Sequence, residues 1–252
     1  MQLPRYDTIG HTYSQHRRED PSIAALLTQT LGDARSVINV GAGTGNYEPA
    51  QTCTLAVEPS DVMIRQRPAH KARCVQGVAE ALPAETNAFD AALTVLSMHH
   101  WTNPALGLRE LARVAIKRVV ILTWVPDVAR FWLTDEYFPE VLAHDRTIFP
   151  AMPELKTLLE ANIGPAEFVT VPLPHDCIDG MLGAYWRRPE AYLSERVRSG
   201  ISSFARIDVQ SGLAKLEADL ASGAWQARHS SLLSLDALDV GYRIACCEIK
   251  GV

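Results

Sequence analysis

Two hydrophobic periods alternate along the first half of the chain. In "PSIAALLTQTL", residues 21–31, Ile23, Leu26, Leu27 and Leu31 recur at helical spacing and share one face. Asp20 stands where a side-chain cap is wanted, Pro21 suits the first helical position, and Gly32 stops the run. A strand from Ser36 to Val40 follows and runs into a turn holding Gly41, Gly43 and Gly45. "CTLAVEP" reads as a second strand, Ser60 caps a short helix "DVMIRQR", and "ARCVQG" is a third strand. "FDAALTVLS" and "RVVILTW" are near-continuous apolar runs, as expected of strands buried on both faces. Between them lies a helix, "NPALGLRELARVA", opened by Asn103 and Pro104. Repeated α-then-β units predict an α/β fold with an open, mostly parallel sheet and helices on both faces.

The pattern changes after Pro126. From there to about Leu238 only "EFVTVPLP" reads clearly as strand, and the remainder is helical or loop-like and rich in aromatics. "YRIACCEI", Tyr242 to Ile249, looks like a last strand returning to the sheet. The expected organisation is a single domain over 1–252. Its core covers about 20–172 and 239–250, and a helical insertion or lid covers about 173–238.

Composition narrows the function. A chain of 252 residues, 47% of them hydrophobic, can bury one sizeable core. Lys plus Arg number 24 against 29 Asp plus Glu, for a formal net charge of -5. That balance lacks the basic footprint of a sequence-independent nucleic-acid binder. No window approaches the ~20 apolar residues of a membrane-spanning helix. The first twenty residues carry no apolar signal core, so a cytoplasmic protein is expected. The 5 cysteines are odd in number and form no CxxC pair, which speaks against a disulfide framework or a zinc site; no metal is expected.

The glycine turn must bring backbone close to a ligand in the crevice beyond the strand ends. A dinucleotide fingerprint needs a glycine at position 46, where Asn46 stands, and a triphosphate loop needs a lysine that is missing. Glu58 closes the second strand, where a carboxylate can accept from both hydroxyls of a ribose. An exposed strand-end glutamate would look the same in isolation. In "QGVAEALP" the small Ala79 leaves space for a flat ring. Glu80 is the ionisable residue there, equally suited to stabilising a helix N-terminus.

Taken in order, "VINVGAGTG", the acid closing strand two, "VAEALP", "FDAALTVLSMHHW" and the helix "ALGLRELARV" resemble the class I S-adenosylmethionine-dependent methyltransferases. The likeness is closest to the small-molecule branch that includes the ubiquinone/menaquinone-type C-methyltransferases, and it covers about residues 36–124. It implies a Rossmann-like, seven-stranded, mostly parallel sheet with one antiparallel strand, which "YRIACCEI" can supply. It also implies S-adenosyl-L-methionine as cofactor and S-adenosyl-L-homocysteine as product. By that resemblance Gly41, Ala42 and Gly43 would face the methionine part, and Glu58 would hold the ribose. Pro59, Ala79 and Glu80 would border the adenine, and Leu96 would pack on the sulfonium side with Ser97 to His100 around it. Tyr13 would cover the cofactor, with Tyr6 and Arg17 as helpers. Two departures stand out: Asn39 replaces the family's usual Asp, and "RVAIKRVVI" shortens the link into strand five.

Methyl transfer from a sulfonium is an in-line displacement on an already activated donor, so the protein mainly aligns the acceptor and excludes water. A general base is needed only where the acceptor loses a proton. His99 and His100, just past strand four, can take one near pH 7, and His175 beside Asp176 forms a second polar patch. Each also suits a packing or turn role. The aromatic segments "ARFWLTDEYFPE" and "GAYWRRPEAYL" would form either core or a lid over an apolar or aromatic small-molecule acceptor, with Arg187 and Arg188 available for an acidic group. The alternative on the same scaffold retains the cofactor and catalyses cyclisation or elimination. A nucleotide-dependent oxidoreductase ranks third, weakened by residue 46.

Overall fold

The computed structural model describes residues 17–249. Tyr6 and Tyr13 lie outside the described residues. The helix caps read from sequence are in place. Helix α1 (Pro21–Leu31) starts with Asp20 accepting from the Ser22 N–H at 3.0 Å and ends at Gly32, φ 59°. Helix α2 (Asp61–Arg65) is capped by Ser60 on the Met63 N–H, and α3 (Pro104–Val114) by Asn103 on the Leu106 N–H. Each cap satisfies an N–H that a helix start leaves unpaired. Two further helices, α4 (Pro139–Asp145) and α5 (Met152–Asn162), precede the last part of the sheet.

The strands are β1 (Val37–Val40), β2 (Cys53–Glu58), β3 (Cys74–Gln76), β4 (Phe89–Val95), β5 (Ala115–Trp124) and β6 (Ala166–Thr170), then β7 (Leu173–Pro174), β8 (Ala237–Leu238) and β9 (Tyr242–Glu248). Seven of them form one sheet in the order β3-β2-β1-β4-β5-β9-β6. β1 to β5 pair in parallel, and β9 runs antiparallel between β5 and β6. This is the Rossmann-like sheet with one reversed strand. The reversal puts Tyr242, the first residue of β9, opposite Trp124, the last of β5, at the end of the sheet where a ligand belongs.

Strand period 2 divides the core between two faces. Val120 and Leu122 join α1 through Ile23, Leu27 and Leu31, whereas Val119 and Ile121 join α3 and α5 through Leu108, Leu111, Leu155 and Leu159. The first face also carries the aromatics of the second half. The Trp132 ring lies 5.2 Å from Trp225 and 5.8 Å from Tyr192, and its indole N–H donates to the Trp186 carbonyl at 2.9 Å. Trp132, Trp186, Tyr192 and Trp225 are buried core. Their aromatic area, largely removed from water, fastens residues 173–238 to the sheet. The ladder β7–β8 brings the two ends of that segment together.

Two local differences from the sequence reading have simple causes. β5 begins at Ala115, directly after α3, with no connecting loop; Lys117 and Arg118 continue the strand and pair with Asp33 and Asp90 at its base. "VAEALP" is a turn rather than a helix start, because it is bonded to α3: Leu82 N–H donates to Glu110, and Arg113 donates to the Leu82 and Ala84 carbonyls.

Among the described residues no helix is long and apolar enough to cross a membrane. Among them, too, no cluster of three or more His, Cys, Asp or Glu side chains could hold a metal ion. Burial pushes the thiols of Cys177 and Cys247 up to about 12. A thiol-alkylating reagent at pH 8 is therefore expected to modify these two cysteines only after unfolding. Mass spectrometry of native and denatured samples checks this, and rapid native labelling of Cys177 would contradict it.

Candidate cofactor and active site

The cleft is built where β1 leaves the sheet. Gly41, Gly43 and Gly45 have φ of 70°, 52° and 93°, the left-handed region that L side chains rarely adopt. Gly41 is also pressed against the segment after β4: a Cβ there would lie 1.8 Å from the Ser97 hydroxyl oxygen. The Gly41 and Ala42 N–H groups both donate to the Val57 carbonyl, at 2.9 and 3.1 Å, which ties the turn to the end of β2. Behind it a buried ion pair sets the loop's shape. Arg67 donates to Glu48 at 2.6 Å and to the Gly43 carbonyl at 3.2 Å. A buried pair of this kind holds geometry provided each charge is also hydrogen-bonded, and Glu48 further accepts from Asn39 and the Ala72 N–H.

Glu58 points back at this loop. It is only 4% exposed, and its two carboxylate oxygens accept from the Gly43 N–H at 2.8 Å and the Ser60 N–H at 2.9 Å. These backbone bonds fix the orientation of the carboxylate against the loop.

From the β1 side the cleft is lined by Asn39, Gly41 to Thr44, Asn46 and Tyr47. Arg17 and the pair Val95 and Leu96 close it. Leu96 has φ 48°, a strained value for a branched side chain, and its N–H is held by the Leu122 carbonyl at 2.8 Å. Two polar atoms in this lining are buried and have no partner among the described residues: Asn39 Oδ1 and Asn46 Nδ2. The orientation of Asn39 follows from chemistry. Glu48 accepts only, so the amide nitrogen must face it at 3.3 Å and the oxygen is turned away. An unpartnered buried polar atom costs about 1–3 kcal/mol. A ligand that donates to Asn39 and accepts from Asn46 removes that cost.

The structure distributes the sequence-derived residues unevenly. Gly41, Ala42, Gly43 and Leu96 line the cleft together, and Glu58 joins them through Gly43. Pro59 sits at the tip of β2, its carbonyl accepting from Gln76, while Ala79 is buried near Gly107 of α3. Glu80 accepts from the Asn103 N–H at 3.0 Å, so it stabilises the start of α3 rather than of a helix of its own. These three are not among the residues lining this cleft. His99 and His100 occupy a single helical turn, Met98–His100, with ring centroids 3.8 Å apart. His99 lies 4.2 Å from Phe149 and, with Trp101, borders a separate cavity of about 400 Å³. His175 is held by its N–H on the Asp236 carbonyl beside the β7–β8 ladder, and Asp176 is exposed; neither lines either cavity.

Asn46, Tyr47, Glu48 and Arg67 were missed by sequence reasoning, which registered position 46 only as a missing glycine. A polar triplet, "NYE", directly after the glycine turn was the available signal. Asp179, which joins the same network from the distant insertion, carried none.

No helix begins after the glycine turn; residues 41–52 pass to β2 through turns alone. The pyrophosphate seat of a dinucleotide-binding fold, a helix N-terminus, is thus missing at this loop. A glycine turn with a β2 carboxylate, under a sheet closed by one reversed strand, defines a nucleoside-cofactor enzyme of α/β type. Residues 38–123 match the family model described as "Methyltransferase domain". A crystal structure of a protein described as a methyltransferase from an antibiotic biosynthesis pathway of Anabaena variabilis is 35% identical, with a TM-score of 0.84 over 92% of this chain and 98% of that one. An S-adenosylmethionine-dependent methyltransferase from Thermotoga maritima is similar in fold, with 15% identity and a TM-score of 0.62 over 97% of this chain and 98% of that one. The [4+2]-cyclase SpnF is similar in fold as well, with 15% identity and a TM-score of 0.56 over 98% and 94%. No curated protein matches the chain. The chain belongs to the class I S-adenosylmethionine-dependent methyltransferases.

Proposed function

We propose that the protein transfers a methyl group from S-adenosylmethionine to a small organic acceptor and releases S-adenosylhomocysteine. The observation that carries this reading is the pair of unpartnered amide atoms in the cleft. Asn39 Oδ1 would accept from the ammonium of the methionine end, and Asn46 Nδ2 and Arg17 would donate to its carboxylate. Gly41, Ala42 and Gly43 allow close approach, and Glu58 would take the ribose hydroxyls. Pro59, Ala79 and Glu80 would lie on the adenine side, Leu96 on the sulfonium side. Tyr13 is assigned as a cover from its sequence position.

When bound, the cofactor supplies a methyl group on a positively charged sulfur. The chain's own work is to orient the acceptor and keep water out. Where the acceptor must lose a proton, His99 and His100 are the candidate bases, since their turn directly follows Leu96 and Ser97. His175 is a further candidate on the insertion. Residues 173–238 form the acceptor cap in this reading; their large aromatics are committed to the core, so the apolar or aromatic acceptor is proposed from the family resemblance. That resemblance is to the ubiquinone/menaquinone-type branch.

A retained cofactor with cyclisation or elimination performed under the insertion is the second reading; SpnF, a cyclase of similar fold, keeps it open without favouring it. Methyl-labelled cofactor decides between the two once an acceptor turns over. Label in the product supports transfer; turnover without label supports the second reading.

Asn39→Leu is expected to weaken S-adenosylhomocysteine binding by about 1.5 kcal/mol, roughly tenfold, the lower end for a bond to a charged group. Calorimetry showing unchanged affinity in a folded variant would remove Asn39 from the site.

A further inference from the structure

We infer that Asp179, carried into the cleft wall by the 173–238 segment, is a positioning residue for the methionine end of the cofactor and acts through Arg17 and Tyr47. This inference rests on the cofactor assignment above.

Asp179 is 0% exposed, although it belongs to an irregular part of the insertion. Its Oδ1 accepts from Arg17 Nε, and its Oδ2 accepts from Arg17 Nη2 at 3.1 Å and from the Tyr47 hydroxyl at 2.8 Å. The fork is two-pronged, so it fixes the plane of the guanidinium as well as its position. Tyr47 also takes the Asp20 N–H at 3.2 Å, and the Asp20 carboxylate accepts from the Ile178 N–H at 3.2 Å. Three stretches far apart in sequence, 17–20, Tyr47 and 178–179, therefore meet at one carboxylate. Burial, then the Asp179 charge, raises the Tyr47 hydroxyl's pKa, so it stays protonated and serves as a donor.

Two of these side chains, Arg17 and Tyr47, line the same cleft as Asn39 and Asn46. Burying a carboxylate is costly unless it is paired, and an apolar residue would fill the space without that cost. What a buried carboxylate supplies is direction. Arg17 carries its charge on a long side chain with many rotamers. Held by Asp179, it presents a guanidinium in one orientation to the cleft, where a ligand carboxylate can meet it. The insertion thereby contributes to cofactor binding, not to acceptor binding alone.

The test compares two ligands on one variant. S-adenosylhomocysteine carries the amino-acid end; 5′-methylthioadenosine has the same adenosine and thioether without it. In Asp179→Asn the side chain keeps its shape, but the charge is gone and an amide N–H₂ must face a donor. S-adenosylhomocysteine affinity is expected to fall about tenfold or more, while methylthioadenosine affinity changes by less than about twofold. Equal losses for both ligands would make Asp179 a purely structural residue and overturn the inference, as would no loss for either. Arg17→Gln should reproduce the selective loss, and it decides the matter if Asp179→Asn does not fold by thermal melt. If the wild-type protein binds neither ligand, the cofactor assignment itself fails, and this inference with it.

Discussion

Replacing Glu58 by alanine is expected to weaken S-adenosylhomocysteine binding by about 1.5–3 kcal/mol, roughly 10- to 150-fold. The carboxylate is asked to do two things: hold the Gly43 and Ser60 N–H groups, and receive the ribose hydroxyls. The alanine variant loses both. A 2′-deoxy analogue of S-adenosylhomocysteine separates them. If Glu58 contacts the ribose, the analogue binds wild type more weakly than the parent ligand but binds Glu58→Ala no worse than the parent. The coupling in this two-by-two comparison isolates the ribose contact from the loop anchor. Zero coupling in folded protein would mean that Glu58 only braces the turn. Glutamine is a poor control here, because one end of its amide would set N–H against the Gly43 or Ser60 N–H.

Gly41→Val is expected to abolish measurable cofactor binding while a cooperative thermal transition remains. Two costs add. Valine at φ 70° is strained by about 1–3 kcal/mol. Its Cβ would also sit 1.8 Å from Ser97 Oγ and 2.5 Å from Ser97 Cβ, so the turn and the segment after β4 must move apart. That movement disrupts two walls of the cleft at once. The double variant Gly41→Ala with Ser97→Gly removes the clash and leaves the backbone strain. Partial recovery of binding is expected relative to Gly41→Ala alone, measured by calorimetry. Equal binding by Gly41→Ala and wild type would show that the turn does not need its close approach to Ser97. Gly43 differs: among the described residues a Cβ there meets only Met63, at 3.4 Å, so its requirement for glycine is conformational, from φ 52°.

The replacement of the family's usual Asp by Asn39 acquires a reason in three dimensions. A second carboxylate here would face Glu48 at the distance where Asn39 Nδ2 now donates, 3.3 Å. Like charges that close disfavour ionisation of both. Glu48, already neutralised by Arg67, can stand behind an amide that relays its orientation. The amide keeps an acceptor toward the cleft without adding charge.

What could be read from residues alone was whatever depends on local physics. Asp20, Ser60 and Asn103 cap helices because a short polar side chain reaches its own next turn. β4 and β5 are recognisable because strands covered on both faces have no polar side to show. The three glycines and Glu58 are legible because a left-handed turn and a strand-end acid lie within one strand–turn–strand span of sequence. The same local logic misplaced Glu80: its charge was correctly given to a helix start, but its partner, α3, lies more than twenty residues onward.

Partners separated by most of the chain leave no such trace. That β9 slips between β5 and β6 is settled by pairing on both sides, and that the aromatics of the second half are core follows from their packing on the α1 face. Asp179 meets Tyr47 from 132 positions away, and nothing near either residue announces the other. Sequence carries propensity, period and turn chemistry, which act over a few residues. Tertiary packing decides which buried polar atoms find partners; of those without one among the described residues, two line the cleft, Asn39 Oδ1 and Asn46 Nδ2, and they mark where a ligand is needed.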